Sequence, residues 1–305
     1  MSAFPAITAA ATRRGILAII ASQACFVFGD AAVKLAAAHL PTGEIIVVRG
    51  FFATLVIGAM ITASGAAAKA RLVFHPLVLL RAGVEAFIIT AFISALTLLQ
   101  LADIVAITQA APLITALILV AVYGERFGWR RWSAIAAGFI GVLLVVKPGP
   151  QGLQPAAAQA LAVAVGIALR DLITRRIPAV IPSLIITLAT TEAAVLAGLG
   201  LGLTETWVMP RGVGFLLLIA AAVATTVGNY FVVIAFRGTD AGVVSPFRYI
   251  IVIFALLMGY AVWRELPDIP ALAGTALIVA SGVFMIYRER IRSKRPRVFS
   301  ADVEP

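Results

Sequence analysis

Charge is what this chain has least of. Only 12% of its 305 residues are charged, about half the share of an ordinary soluble domain, so a fully water-facing surface is excluded. One cysteine, Cys25, excludes an internal disulfide and a cysteine-based metal cluster. The two histidines, His39 and His75, fall at opposite membrane faces in the reading below, too far apart for a metal pair or a catalytic dyad. No Gly-x-x-x-x-Gly-Lys-Ser/Thr stretch is present, which argues against an ATP-driven motor. Neither a clustered nucleophile and base nor paired carboxylates at one depth can be found, so no catalytic residue, metal or cofactor is expected.

What fills the chain instead is apolar. Hydrophobic residues make up 62% of it, gathered near residues 15–38, 44–63, 77–99, 104–123, 131–147, 156–174, 180–202, 212–236, 243–263 and 269–287. Each run is close to the 20 or so residues with which a helix crosses about 30 Å of hydrocarbon. The predicted fold class is an all-α integral membrane protein of ten transmembrane helices, with the lipid bilayer as its surroundings. Loops are too short for a separate soluble domain.

The net charge of +10 invites a nucleic-acid reading, but its distribution opposes one. Arg13 and Arg14, Lys69, Arg71 and Arg81, Arg126, Arg130 and Arg131, Arg170, Arg175 and Arg176, then Arg237 and the tail from Arg288 to Arg297 all fall in alternate loops. The other side has only Lys147, Arg211 and Arg264. The positive-inside rule puts both termini in the cytoplasm, with the basic tail against an anionic leaflet. The start, Thr12-Arg13-Arg14-Gly15-Ile16-Leu17, resembles a twin-arginine export signal. It is read as a retained first helix, because the run is long, holds Asp30 and Lys34, and precedes nine further spans.

The chain repeats itself. Shifted by 141 residues, Asp30 meets Asp171, Lys34 meets Arg175, Leu40-Pro41-Thr42 meets Ile181-Pro182-Ser183, and Gly141 meets Gly282. Tyr123-Gly124-Glu125-Arg126 and Trp263-Arg264-Glu265-Leu266 match one residue off that shift. Such coincidences at one spacing indicate duplication. Five spans per half is an odd number, so the second copy enters the membrane from the other side and the halves form an inverted repeat. Residues 148–155, Pro148-Gly-Pro-Gln-Gly-Leu-Gln-Pro155, read as the hinge joining the halves, and the expected division is 1–149, 150–288 and a basic cytoplasmic tail, 289–305.

The stretches from Gln109-Ala-Ala-Pro112 through Tyr123-Gly124-Glu125-Arg126 to Gly138-Phe-Ile-Gly141, and from Ser245-Pro246-Phe247-Arg248-Tyr249 through Glu265 to Gly274 and Gly282, resemble the end of an EamA-type domain of the drug/metabolite transporter superfamily. Asp30, Lys34, Pro41 and Arg49 resemble a bacterial subgroup of it. The resemblance implies two inverted five-helix repeats around a cavity lined by the first four helices of each, with the fifth peripheral. It implies a bacterial inner (plasma) membrane, and a small-molecule cargo such as an amino acid, vitamin, nucleotide-related compound or drug.

Ionisable groups inside a span are functional candidates by default. Glu192, near the middle of its run, is a candidate for proton coupling or a carboxylate hydrogen-bonded to threonines of a neighbouring helix. Arg49 and Arg248 either snorkel to the interface or offer guanidinium groups to a carboxylate or phosphate. Pro112 breaks the fourth span and frees a backbone carbonyl, tolerated where it is buried in protein or lines a wet cavity; with it Thr90, Ser94, Gln109, Thr115, Thr225, Asn229, Tyr230 and Tyr249 are cavity candidates, the small hydroxyl residues among them serving equally as packing glue. Glu85, one turn after Arg81, reads as its local partner. Asp30 with Lys34 and Asp171 with Arg175 read as gating or structural ion pairs at opposite mouths. The function expected is a secondary active transporter, an exporter working by alternating access, as monomer or homodimer. A lipid-linked sugar flippase and, further off, a membrane-embedded enzyme are the alternatives.

Overall fold

A backbone in hydrocarbon has no water to bond, so each apolar run must satisfy its amides internally and does so as a helix. The computed structural model describes residues 9–124, 127–149, 154–178, 180–236 and 241–293. The first half comprises α1 (Ala9–Ala36), α2 (Thr42–Ala63), α3 (Pro76–Leu98), α4 (Leu101–Thr108), α5 (Ala111–Tyr123) and α6 (Trp129–Val146). The second comprises α7 (Pro155–Thr174), α8 (Ser183–Leu201), α9 (Gly212–Phe236), α10 (Ala241–Val244), α11 (Ile250–Trp263) and α12 (Ile269–Ser293). Among the described residues, ten helical stretches are long and apolar enough to span a membrane, α4 with α5 forming the fourth and the 3₁₀ turn Ser245–Tyr249 with α11 the ninth. Starts are set locally: Pro76 opens α3 while His75 Nδ1 accepts the Leu77 N–H at 3.3 Å.

Both interruptions have a backbone cause. Pro112 lies in the first turn of α5, where it cannot donate back to α4, and the helix breaks at Gln109 and Ala110. Pro246 does the same at the 3₁₀ turn before α11. Beyond the breaks, α5 and α11 end alike, Gly124 at φ 65° and Arg264 at φ 57°, each N–H donating to the carbonyl four residues back.

Helix contacts close into a ring: α1 on α9, α9 on α2, α2 on α8, α8 on α3, α3 on α7, α7 on α4 and α5, α4 on α11, and α11 on α1. Exchanging the halves maps this set of neighbours onto itself, as two inverted five-helix repeats require. Outside it, α6 and α12 pack on each other and on the fourth and ninth spans. Their seam is glycine: a Cβ at Gly141 would sit 2.6 Å from the Gly274 carbonyl, and one at Gly274 2.5 Å from that of Gly141. The α2–α8 seam repeats the device with Gly43 and Gly198. The end of the bundle holding Arg13, Arg14, Arg81, Arg170 and Arg175 is called the basic end below, and the other the far end.

Candidate functional site

At the far end, Lys34 in the last turn of α1 leaves Asp30. Its Nζ donates to the Leu99 carbonyl at 2.9 Å and to Glu265 Oε2 at 3.2 Å, and lies 4.8 Å from the centre of a Trp263 ring. The expected Asp30–Lys34 pair is thereby corrected. A lysine's stem is long enough to carry its charge one turn outward, while Asp30, one turn deeper, has the Arg49 guanidinium of α2 as the opposite charge acting on it. Glu265 is aimed by the turn before it: Arg264 takes its left-handed conformation with its guanidinium 5.1 Å from the Tyr260 ring, and the Glu265 N–H donates to the Gly259 carbonyl. The bond to the Leu99 carbonyl joins α1 to the end of α3, two helices that are not adjacent in the ring, and so crosses the mouth, while Glu265 and Trp263 hold the lysine from the neighbouring α11 side.

Further polar contacts stitch the same end. Lys147 Nζ lies 2.7 Å from Asp268 Oδ1. That bond, helped by the Ala271 N–H, holds the exposed Asp268 carboxyl below the usual carboxylate range. Glu44, 2% exposed, accepts the Val208 N–H at 3.0 Å, and the Gly43 N–H donates to Glu205 Oε2 at 2.8 Å. The start of α2 is thus fastened to the loop after α8.

At the basic end, α3 and α7 share a four-residue charge cluster. Arg170 donates to both Glu85 oxygens at 3.4 Å and, from Nε and Nη2, to Asp171 Oδ1 at 3.0 and 2.8 Å. Arg81 Nε donates to Thr174 Oγ1 at 2.9 Å and stands 4.0 Å from Glu85. One expectation changes here and another is extended. Asp171 is held by Arg170 and not by Arg175, which is exposed, because Arg170 sits on the buried α3 side of α7. Glu85 keeps the expected pair with Arg81 of its own helix at 4.0 Å and has a second, nearer partner in Arg170 of the neighbouring helix at 3.4 Å.

Between these ends lie the deep candidates. Thr54 of α2 donates to Glu192 Oε1 of α8 at 2.7 Å; each is roughly two or three turns from an end of its helix. The five ion pairs among the described residues use neither Arg49 nor Arg248. The charges acting on Arg49 are Asp30 and Glu85, and the acid acting on Arg248 is Asp171. Since α2 is not a ring neighbour of α1, the Asp30–Arg49 interaction runs through the interior. Arg248 stands at the ninth-span break with an exposed side chain.

The small polar residues divide. Thr115 is buried with its hydroxyl on the Ala111 carbonyl, and Thr225 bonds the Ala221 carbonyl where Gly29 of α1 comes close; both are seam residues. Ser94 Oγ lies 3.5 Å from Gln159 Oε1, across the α3–α7 seam. Thr90 and Tyr249 have buried hydroxyls without a partner among the described residues, and Tyr249 packs against Gly282. Gln109 and Pro112 flank the fourth-span break, while Asn229 and Tyr230 are exposed on α9. Sequence reasoning missed Thr54, Arg170 and the Glu265 partnership; Arg170 carried the one available signal, a cation beside Asp171.

The EamA-like transporter family model matches residues 13–147 and again residues 154–288. The chain is 25% identical over 277 residues to an S-adenosylmethionine uptake transporter of Rickettsia felis, covering 90% of this chain and 92% of that protein. It is 27% identical over 276 residues to the pseudopaline exporter CntI of Pseudomonas aeruginosa, covering 88% and 94%. A riboflavin transporter of Rhizobium johnstonii matches at 27% over 208 residues, 68% of this chain and 69% of its own. A solved crystal structure shares the fold with a TM-score of 0.61 at 20% identity, covering 91% of this chain and 98% of its own. With its ten helical spans and a family match on each half, the chain is a multi-pass membrane protein that belongs to the EamA-like transporter family of the drug/metabolite transporter superfamily, a family of transporters and not of enzymes.

Proposed function

We propose that the protein is a secondary active exporter of a small metabolite bearing a carboxylate or phosphate, working by alternating access in a bacterial inner membrane with both termini in the cytoplasm. One observation carries the reading: a closed ring of eight spans holds two guanidinium groups, Arg49 and Arg248, outside every ion pair among the described residues. A charge in a membrane interior calls for a partner, and a planar guanidinium suits a carboxylate or phosphate. The relatives support a small-molecule cargo, and the arginine-rich loops support the cytoplasmic side. Lys34 and Glu265 serve as the outer latch, the α3–α7 charge cluster as its inner counterpart, and Glu192 as the proton-coupling carboxylate.

The test is ligand-dependent stability of the purified protein, because a compound bound only to the folded state raises its apparent stability. An anionic or zwitterionic metabolite is expected to raise the unfolding temperature of the parent. In Arg248→Ala its affinity falls by about 10- to 100-fold, the loss of one charge-assisted hydrogen bond, while the protein remains folded in the membrane. Equal affinity in parent and variant rejects Arg248 as the anchor.

A further inference from the structure

Where α1 and α9 meet at the basic end, a crease of about 850 Å³ is lined by Arg13, Arg14, Leu17, Ala18, Phe231 and Ile234, with Ala21 at its deep end. Both arginines are exposed and neither takes part in an ion pair among the described residues. Leu17 is 57% exposed directly below them. The crease therefore has a cationic head and an apolar floor.

Its direction follows from helix geometry. Ala21 lies about 180° around α1 from Asp30, and Asp30 faces Arg49 through the interior of the ring. The crease thus opens on the outside of the ring, on the side of α1 away from the Asp30–Arg49 interaction. A site outside the ring, with charge at the membrane surface and apolar wall beneath, has the polarity profile of a phospholipid in the same leaflet. Basic pockets between transmembrane helices bind anionic headgroups for this reason, and the volume falls within the range of small-molecule sites.

We infer that the α1–α9 crease binds an anionic phospholipid, its phosphate on Arg13 and Arg14 and an acyl chain along Leu17, Ala21, Phe231 and Ile234. The site is separate from the cargo path and stands whether or not the exporter reading does. It lies on the α1–α9 joint, so the lipid fills a seam between the two halves of the protein.

Native mass spectrometry of the full chain in detergent, with phosphatidylglycerol or phosphatidylethanolamine of equal chain length, tests it. The parent is expected to retain phosphatidylglycerol in preference. The double variant Arg13→Gln with Arg14→Gln loses about thirty-fold in that affinity, two contributions of the size a basic residue makes at an anionic surface. Arg130→Gln with Arg131→Gln, which removes the same charge elsewhere at that end, keeps it. Ala21→Phe fills the apolar floor without touching either charge and is expected to lose it. Equal losses in the two arginine double variants make the effect one of bulk charge and overturn the site. Unchanged binding in Ala21→Phe, or displacement of the lipid by inorganic phosphate, reduces it to an anion patch and overturns it equally.

Discussion

Glu192 is a carboxylate that position alone marks out, since a charged group roughly 14 Å from either end of its helix needs a partner or a proton. Its partner is a neutral hydroxyl, Thr54, which donates to Oε1 at 2.7 Å and brings no opposite charge. Transport by Glu192→Gln into vesicles is expected to lose its dependence on a pH gradient, with the protein still inserted. A gradient dependence equal to that of the parent removes Glu192 from the coupling. Depth was legible in the sequence for Glu192, Asp30 and Arg49, because it needs only a count from the nearest loop. Partners were not, where they come from distant segments: Lys34 and Glu265 are 231 residues apart. The i, i+4 rule names a face of one helix and is silent on what stands opposite, which is why Lys34 was matched to Asp30 and Asp171 to Arg175.

Helices were the most readable element, since a span declares itself by length and apolarity, and Pro112 announced the break in the fourth. The ring order was not readable. Ten interchangeable apolar cylinders can be arranged in many ways, and the choice is made where small residues let two backbones approach. Gly141 and Gly274 settle one such pair. Gly141→Leu would drive a side chain into the α12 backbone, an overpacking of about 1–3 kcal/mol, and its thermal midpoint is expected to fall by several degrees. Gly58, on α2 with no atom near a built Cβ, supplies the contrast: Gly58→Leu is expected to leave the midpoint unchanged. Equal midpoints for the two variants would show that the α6–α12 seam is not set by glycine.

At the scale of the molecule, the duplication was visible as a spacing of 141 residues, while the inequality of its two mouths was not. The far mouth is crossed by a single lysine held by a carbonyl, a carboxylate and an indole, whereas the α3–α7 cluster at the other end joins two helices that are already neighbours. Glu265→Gln takes away the carboxylate on the neighbouring α11 side that helps hold Lys34 on the Leu99 carbonyl. With Cys25→Ala and a reporter cysteine at Thr90, it is expected to raise labelling by a membrane-impermeant thiol reagent from the far side by about ten-fold, the population shift that follows from weakening one charged hydrogen bond. Labelling indistinguishable from that of the reporter alone would deny Lys34 and Glu265 any hold on the mouth.

The left-handed turn at Arg264 carries a consequence of another kind. Its counterpart, Gly124, adopts the same conformation without penalty, whereas an arginine there costs about 1–2 kcal/mol. One copy of the repeated unit has kept a relaxed turn and the other a sprung one, so under the proposed alternation between two orientations any movement of these turns leaves the two resting states unequal in energy. Such a bias decides which side an empty carrier waits on and how fast it responds. It cannot decide which way cargo flows: a catalyst of exchange leaves the equilibrium untouched, and net direction belongs to the gradients across the membrane.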